Sequence, residues 1–70
     1  MNGNVKTIID SVVLNGEINP QVRLKTLDAL LAILANEEKV TTREYLESQT
    51  KTKSQLNNQL AQTALDWLNQ

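Results

Sequence analysis

The chain contains neither cysteine nor histidine. Disulfides are therefore excluded, and no thiolate or imidazole is present to hold a transition metal. Triad-type nucleophilic catalysis is excluded with them, because a serine nucleophile needs a neighbouring base. Ser11, Ser48 and Ser54 stand in no recognisable nucleophile elbow. The two glycines, Gly3 and Gly16, stand apart and form no phosphate-cradling loop. Phenylalanine is absent, and Tyr45 and Trp67 are the only aromatic residues. Long apolar runs are also missing. The apolar run near the N-terminus is broken by Asp10 and preceded by one cation, Lys6. It is too short and too polar for a signal peptide or a membrane span, so a cytoplasmic, membrane-free protein is expected.

Charge of one sign is lacking as well. The formal net charge is −1, so no global basic field draws the chain to nucleic acid or a membrane surface. Asp10, Glu17, Asp28, Glu37, Glu38, Glu44, Glu47 and Asp66 are most simply read as caps and helix-surface charges. They do not suggest a carboxylate pair held across a cleft. A helical bundle of 70 residues also leaves little room for a substrate pocket. These absences together predict a non-enzymatic protein without cofactor or metal. A chain this short, with no covalent or metal staple, must rely on helix packing or self-association, and a homodimer is expected.

What is present is helical. Val5, Ile8, Ile9, Val12 and Val13 repeat at helical spacing after a possible N-cap, Asn4. Asn15-Gly16 closes this helix, with Gly16 suited to a left-handed position. A hairpin at Asn15-Gly16 is the competing reading, but the second strand before Pro20 is too short to hold. Asn19-Pro20 opens the next helix as cap and first residue. Val22, Leu24, Leu27, Leu30, Leu31, Ile33 and Leu34 give that helix a wide apolar face, and it should end near Asn36–Lys39. Thr41-Thr42-Arg43-Glu44 matches a capping box, and Thr52-Lys53-Ser54-Gln55 matches a second. Tyr45 and Leu46 point inward from the helix between them. Leu56, Leu60, Ala61, Ala64, Leu65, Trp67 and Leu68 form the buried stripe of the last helix. The expected fold is all-α, a compact bundle of four helices at about 5–15, 20–37, 42–49 and 53–68, in one domain spanning 1–70.

One local feature bears on function. From Gln49 to Leu65 there is no acid, and residues 55–62 are dense in side-chain amides. Arg43, Lys51 and Lys53 lie nearby. A short capped helix, a turn of roughly four residues and a longer capped helix follow the apolar helix that begins at Pro20. Over about residues 20–68 this order resembles the three-helix core of helix-turn-helix and winged-helix DNA-binding regulators, without the wing. The resemblance implies a small dimeric regulator that binds double-stranded DNA. Thr42 and Arg43 would meet phosphate at the opening of the second helix of the motif. Lys51 and Lys53 would neutralise phosphates beside the groove. Ser54, Gln55, Asn58, Gln59 and Gln62 would face the base edges. The expected turn lacks the glycine often found there.

Two alternatives stand beside this. The amides and lysines can be plain solvated surface, with Tyr45 and Trp67 as core residues or as anchors for a protein partner. Leu46, Lys53, Leu60 and Trp67 are also spaced by seven, so residues 43–69 can be read as one long helix with a weak heptad seam. The chain would then be a helical protein-interaction module, such as an adaptor, inhibitor or antitoxin-like protein, that binds no nucleic acid.

Overall fold

The computed structural model describes residues 1–70 and is all-α, with no strand. Its radius of gyration is 10.9 Å, against about 11 Å expected for a folded chain of this length. Four helices follow in order. Helix α1 spans Gly3–Ile8 and continues without a break into a π-helical segment, Ile9–Val13. Helices α2, α3 and α4 span Pro20–Ile33, Asn36–Gln49 and Gln55–Leu68.

Helix α1 begins earlier than the apolar stripe suggests, because Asn2 rather than Asn4 is its cap and accepts from the Asn4 N–H. Hydroxyls compete for its carbonyls. Thr7 Oγ1 donates to the Gly3 carbonyl and Ser11 Oγ to the Thr7 carbonyl. Such bonds loosen the regular i→i−4 ladder. Beyond them, the Leu14 N–H reaches back five residues to the Ile9 carbonyl at 2.8 Å. The widened turn brings residues four and five apart onto one face. Ile9, Val13 and Leu14 are buried with Val5, while Ile8 swings out to 36% exposure. The helix closes through Asn15, whose side chain accepts from the Glu17 N–H. Gly16 does not adopt the expected left-handed conformation, since no residue here has positive φ.

Helix α2 starts as its sequence dictates, with the Asn19 side chain accepting from the Gln21 N–H and Pro20 in the first turn. It ends four residues sooner than expected. Leu34 and Ala35 turn extended, with ψ of 146° and 158°, and a two-residue connection leads straight into α3. The residues expected to finish α2 instead begin α3. Glu37 and Glu38 lie in its first turn, where carboxylates complement the helix dipole. The Thr41–Glu44 capping box is therefore not formed. Thr41 lies inside α3 and its hydroxyl donates to the Glu38 carbonyl at 3.0 Å. At α4, Ser54 rather than Thr52 is the cap, accepting from the Asn57 N–H.

Helices α3 and α4 form an antiparallel hairpin. Near the turn, Asn57 Nδ2 donates to Gln49 Oε1. At the far end, Arg43 Nη1 donates to Asn69 Oδ1 at 2.9 Å, and Lys39 and Val40 share a groove with Leu68. The chain reverses over residues 50–54, so residues 43–69 are not one rod. Helix α2 packs mainly on the π-helical segment and more lightly on α4.

The core draws on all four helices. Val5, Ile9, Val13, Leu14, Leu27, Leu30, Leu46, Leu60, Ala61, Ala64 and Leu65 are buried, with Thr42 the only buried polar residue. Besides Ile8, three residues assigned to apolar core faces lie outside it. Val22 is 51%, Ile33 81% and Leu56 56% exposed.

Truncating the fully buried Leu46 to Ala should destabilise the fold by about 2–5 kcal/mol. That is a large share of the few kcal/mol available to a domain of this size. Thr42→Val should be neutral or stabilising. The Thr42 hydroxyl is buried, and its one partner is the weak acceptor Met1 Sδ at 3.9 Å. Urea unfolding followed by Trp67 fluorescence measures both, and a loss for Thr42→Val matching that for Leu46→Ala would contradict this assignment.

Candidate functional site

The nine residues to which sequence reasoning gives a binding role all lie on the α3–α4 hairpin, and the outer face of α2 is a second exposed region, whose apolar residues it assigned to the core. On the hairpin, Thr42 is fully buried and turns its hydroxyl to Met1, so its side chain is closed to a phosphate. Arg43 is half-buried and bonded to Asn69 beyond the end of α4. Lys51 and Lys53 are exposed in the turn at the opposite end. With about 1.5 Å of rise per residue along α4, Arg43 stands on the order of 20 Å from these lysines, and the three cations do not converge.

The amide residues divide. Gln55, Gln59 and Gln62 are exposed and share one stripe of α4, facing away from the core. Asp66 continues that stripe, and Gln62 Nε2 donates to its Oδ1 at 2.9 Å. A carboxylate thus ends the acid-free face. Asn58 is half-buried and accepts from the Thr52 hydroxyl at 3.2 Å. Ser54 is committed to capping α4. Of the nine residues proposed from sequence, Lys51, Lys53, Gln55 and Gln59 form a compact exposed group around the turn and first helical turns.

Tyr45 and Trp67 link helices through their polar tips. The Tyr45 hydroxyl donates to Asp10 Oδ1, joining α3 to the π-helical segment of α1. Trp67 Nε1 donates to Asp28 Oδ1 at 2.8 Å, joining α4 to α2. Asp10 also pairs with Lys6 at 2.7 Å, and the Lys6 ammonium lies 5.4 Å from the centre of the Tyr45 ring. Sequence reasoning gave Asp10 and Asp28 no partner. The aromatic residues lie far from them in sequence, so no local signal marks the pairing.

On the outer face of α2, Val22, Thr26, Ala29 and Ile33 follow one another at helical spacing. Ile8, Thr26, Ala29, Leu30 and Ile33 line a shallow groove between α1 and α2, of about 220 Å³, less than small-molecule pockets usually enclose. A broader depression lies at the α1–α2 loop, lined by Asp10, Leu14, Asn15, Gly16, Glu17 and Leu56. No cluster of three or more His, Cys, Asp or Glu side chains is placed to hold a metal ion. No helix is long and apolar enough to cross a membrane. Comparison with family models, with curated proteins and with solved structures returns no match.

The Lys6–Asp10–Tyr45 group makes stability depend on alkaline pH. The Tyr45 phenol is raised above its ordinary 10.0, first by burial and then by its bond to Asp10. The Lys6 ammonium is raised above its ordinary 10.5 by its hydrogen bond to Asp10, and then by that group's charge. Both groups hold their protons more tightly when folded. The stability they contribute is complete below their ordinary values and is lost as pH rises through the folded ones. Urea midpoints should fall from about pH 10 upward, and Tyr45→Phe with Asp10→Asn should flatten that fall. An equally steep fall in the double variant would show that this group is not its source.

Proposed function

We propose that this chain is a small, non-enzymatic, cytoplasmic protein-interaction module that binds a protein through the outer face of α2. The observation that carries the reading is Ile33, 81% exposed on the same uncharged stripe as Val22, 51% exposed. Isolated apolar side chains are common on protein surfaces, but two large ones on one uncharged stripe, Ile33 beside an apolar groove, favour a site of association. The near-neutral charge fits a partner held by apolar contact rather than by a phosphate backbone.

A second reading, a helix-turn-helix type regulator of transcription acting as a dimer on double-stranded DNA, is favoured by one observation. Lys51, Lys53, Gln55 and Gln59 are exposed together where the chain reverses. It is disfavoured by the burial of Thr42, the remote position of Arg43 and the carboxylate of Asp66 on the amide stripe. The long contact of α3 with α4 also differs from the steep crossing, about 90–120°, of a helix-turn-helix pair.

Fluorescence anisotropy with random-sequence duplex DNA at low salt separates the two. The interaction module should leave the DNA signal unchanged. Salt-sensitive binding that Lys51→Ala and Lys53→Ala weaken for every sequence would replace the first reading with the second. Under that second reading, Gln59→Ala would relax preference at one base position by about 1–3 kcal/mol.

A further inference from the structure

Asparagine precedes glycine twice in this chain, at Asn2-Gly3 and at Asn15-Gly16. The two pairs stand at opposite ends of the first helix, one at its cap and the other just beyond the π-helical segment that ends at Val13. Glycine has no Cβ to hinder a close approach to its own amide nitrogen. We propose that Asn15 is a site of spontaneous modification. Its side-chain amide is exchanged for a carboxylate through a cyclic imide with Gly16, and the exchange loosens the end of the first helix.

The Gly16 amide nitrogen gives up its proton to solvent and attacks Asn15 Cγ. A bond from that nitrogen to Cγ closes the imide ring. The Cγ–Nδ2 bond breaks, and Nδ2 leaves as ammonia with a proton returned by solvent. Water then opens the ring. Attack at Cγ gives aspartate, and attack at the Asn15 backbone carbonyl gives isoaspartate, in which the chain runs through Cγ. Nothing is oxidised or reduced, and water is the co-reactant.

Three observations favour this step at Asn15. The Gly16 N–H donates to no acceptor in the protein, so its nitrogen is not held away from the side chain. Gly16 is exposed, which gives solvent base and water access. Asn15 Oδ1 accepts from the Glu17 N–H at 3.0 Å, a turn that folds the side-chain amide back over the Gly16 peptide. That N–H also faces the oxygen on which negative charge builds as the ring closes. Other asparagines lack such an arrangement. Pro20 after Asn19 has no N–H, and the N–H groups after Asn57 and Asn69 are held by the Ser54 and Trp67 carbonyls.

Asn2 makes the same turn, accepting from the Asn4 N–H at 2.8 Å, but its conversion has the opposite consequence. A carboxylate there still caps α1 and complements the positive end of the helix dipole. A carboxylate at residue 15 stands just past the negative end. It loses the bond that Asn15 Nδ2 donates to the Ser11 carbonyl at 3.2 Å and sets acceptor against acceptor. It also joins Asp10 and Glu17, which line the same depression. The isoaspartyl form lengthens the backbone beside Leu14, which is buried.

Incubation of the native chain at mildly alkaline pH, followed by digestion and mass spectrometry, tests the proposal. The wild type should accumulate aspartyl and isoaspartyl peptides at residue 15, and the aged protein should develop a fraction with a lowered urea midpoint. Gly16→Ala should suppress both. Its added Cβ meets only side-chain atoms of the exposed Leu56, at 3.4 Å or beyond, at a position without positive φ, so the variant should fold. Asn15→Asp should lower the urea midpoint of fresh protein, whereas Asn2→Asp should not. A residue 15 that stays intact in the wild type overturns the proposal, whatever happens at Asn2. So does conversion undiminished in Gly16→Ala, or an Asn15→Asp midpoint equal to that of the wild type.

Discussion

Two aromatic side chains, each ending on a carboxylate of another helix, tie the four helices together in pairs. Tyr45 carries α3 to Asp10 of α1, and Trp67 carries α4 to Asp28 of α2. The chain has no disulfide or metal cluster, and its core is made of aliphatic side chains of moderate size. Aliphatic packing drives association without fixing orientation, because dispersion contacts tolerate small rotations. A directed N–H or O–H bond does not. Tyr45 packs partly against the aliphatic core, and each ring directs a polar group at one acceptor, which favours one orientation of the helices over its neighbours.

The start of α2 was the most legible element. Asn19 and Pro20 act locally, one by capping and the other by its fixed φ, so no tertiary information is needed to place them. The start of α3 was not legible, for the opposite reason. The break at Leu34–Ala35 contains no glycine, proline or capping side chain. Tertiary packing sets it, with Leu34 turned against the core. The one local clue, Glu37 and Glu38 in sequence, fits the first turn of a new helix as well as the exposed end of an old one. Thr41 and Glu44 offered a more familiar pattern that the extended helix makes unnecessary. The π-helical segment escaped detection because its widened bonding, from the Leu14 N–H back to the Ile9 carbonyl, is a backbone feature that an apolar stripe does not register.

The candidate sites were partly legible for a related reason. The exposure of Gln55 and Gln59 follows from helical periodicity alone. The burial of Thr42 follows from α3 beginning six residues early, which extends the packed hairpin past it. On α2, seven apolar side chains cover so wide an arc that periodicity cannot say which sector meets the core. Only the placement of α1 and α4 decides that Leu27 and Leu30 go inside while Val22 and Ile33 stay out.

The connection of two residues between α2 and α3 has a mechanical consequence. Ile33, the last residue of α2, is separated from the first residue of α3 by only two residues. So short a tether has few rotatable bonds in which to absorb a displacement. A body seated on Ile33 that tilts the end of α2 would pass the motion directly to the base of the α3–α4 hairpin. The outer surface of one helix and the attitude of the other two are in that sense a single degree of freedom.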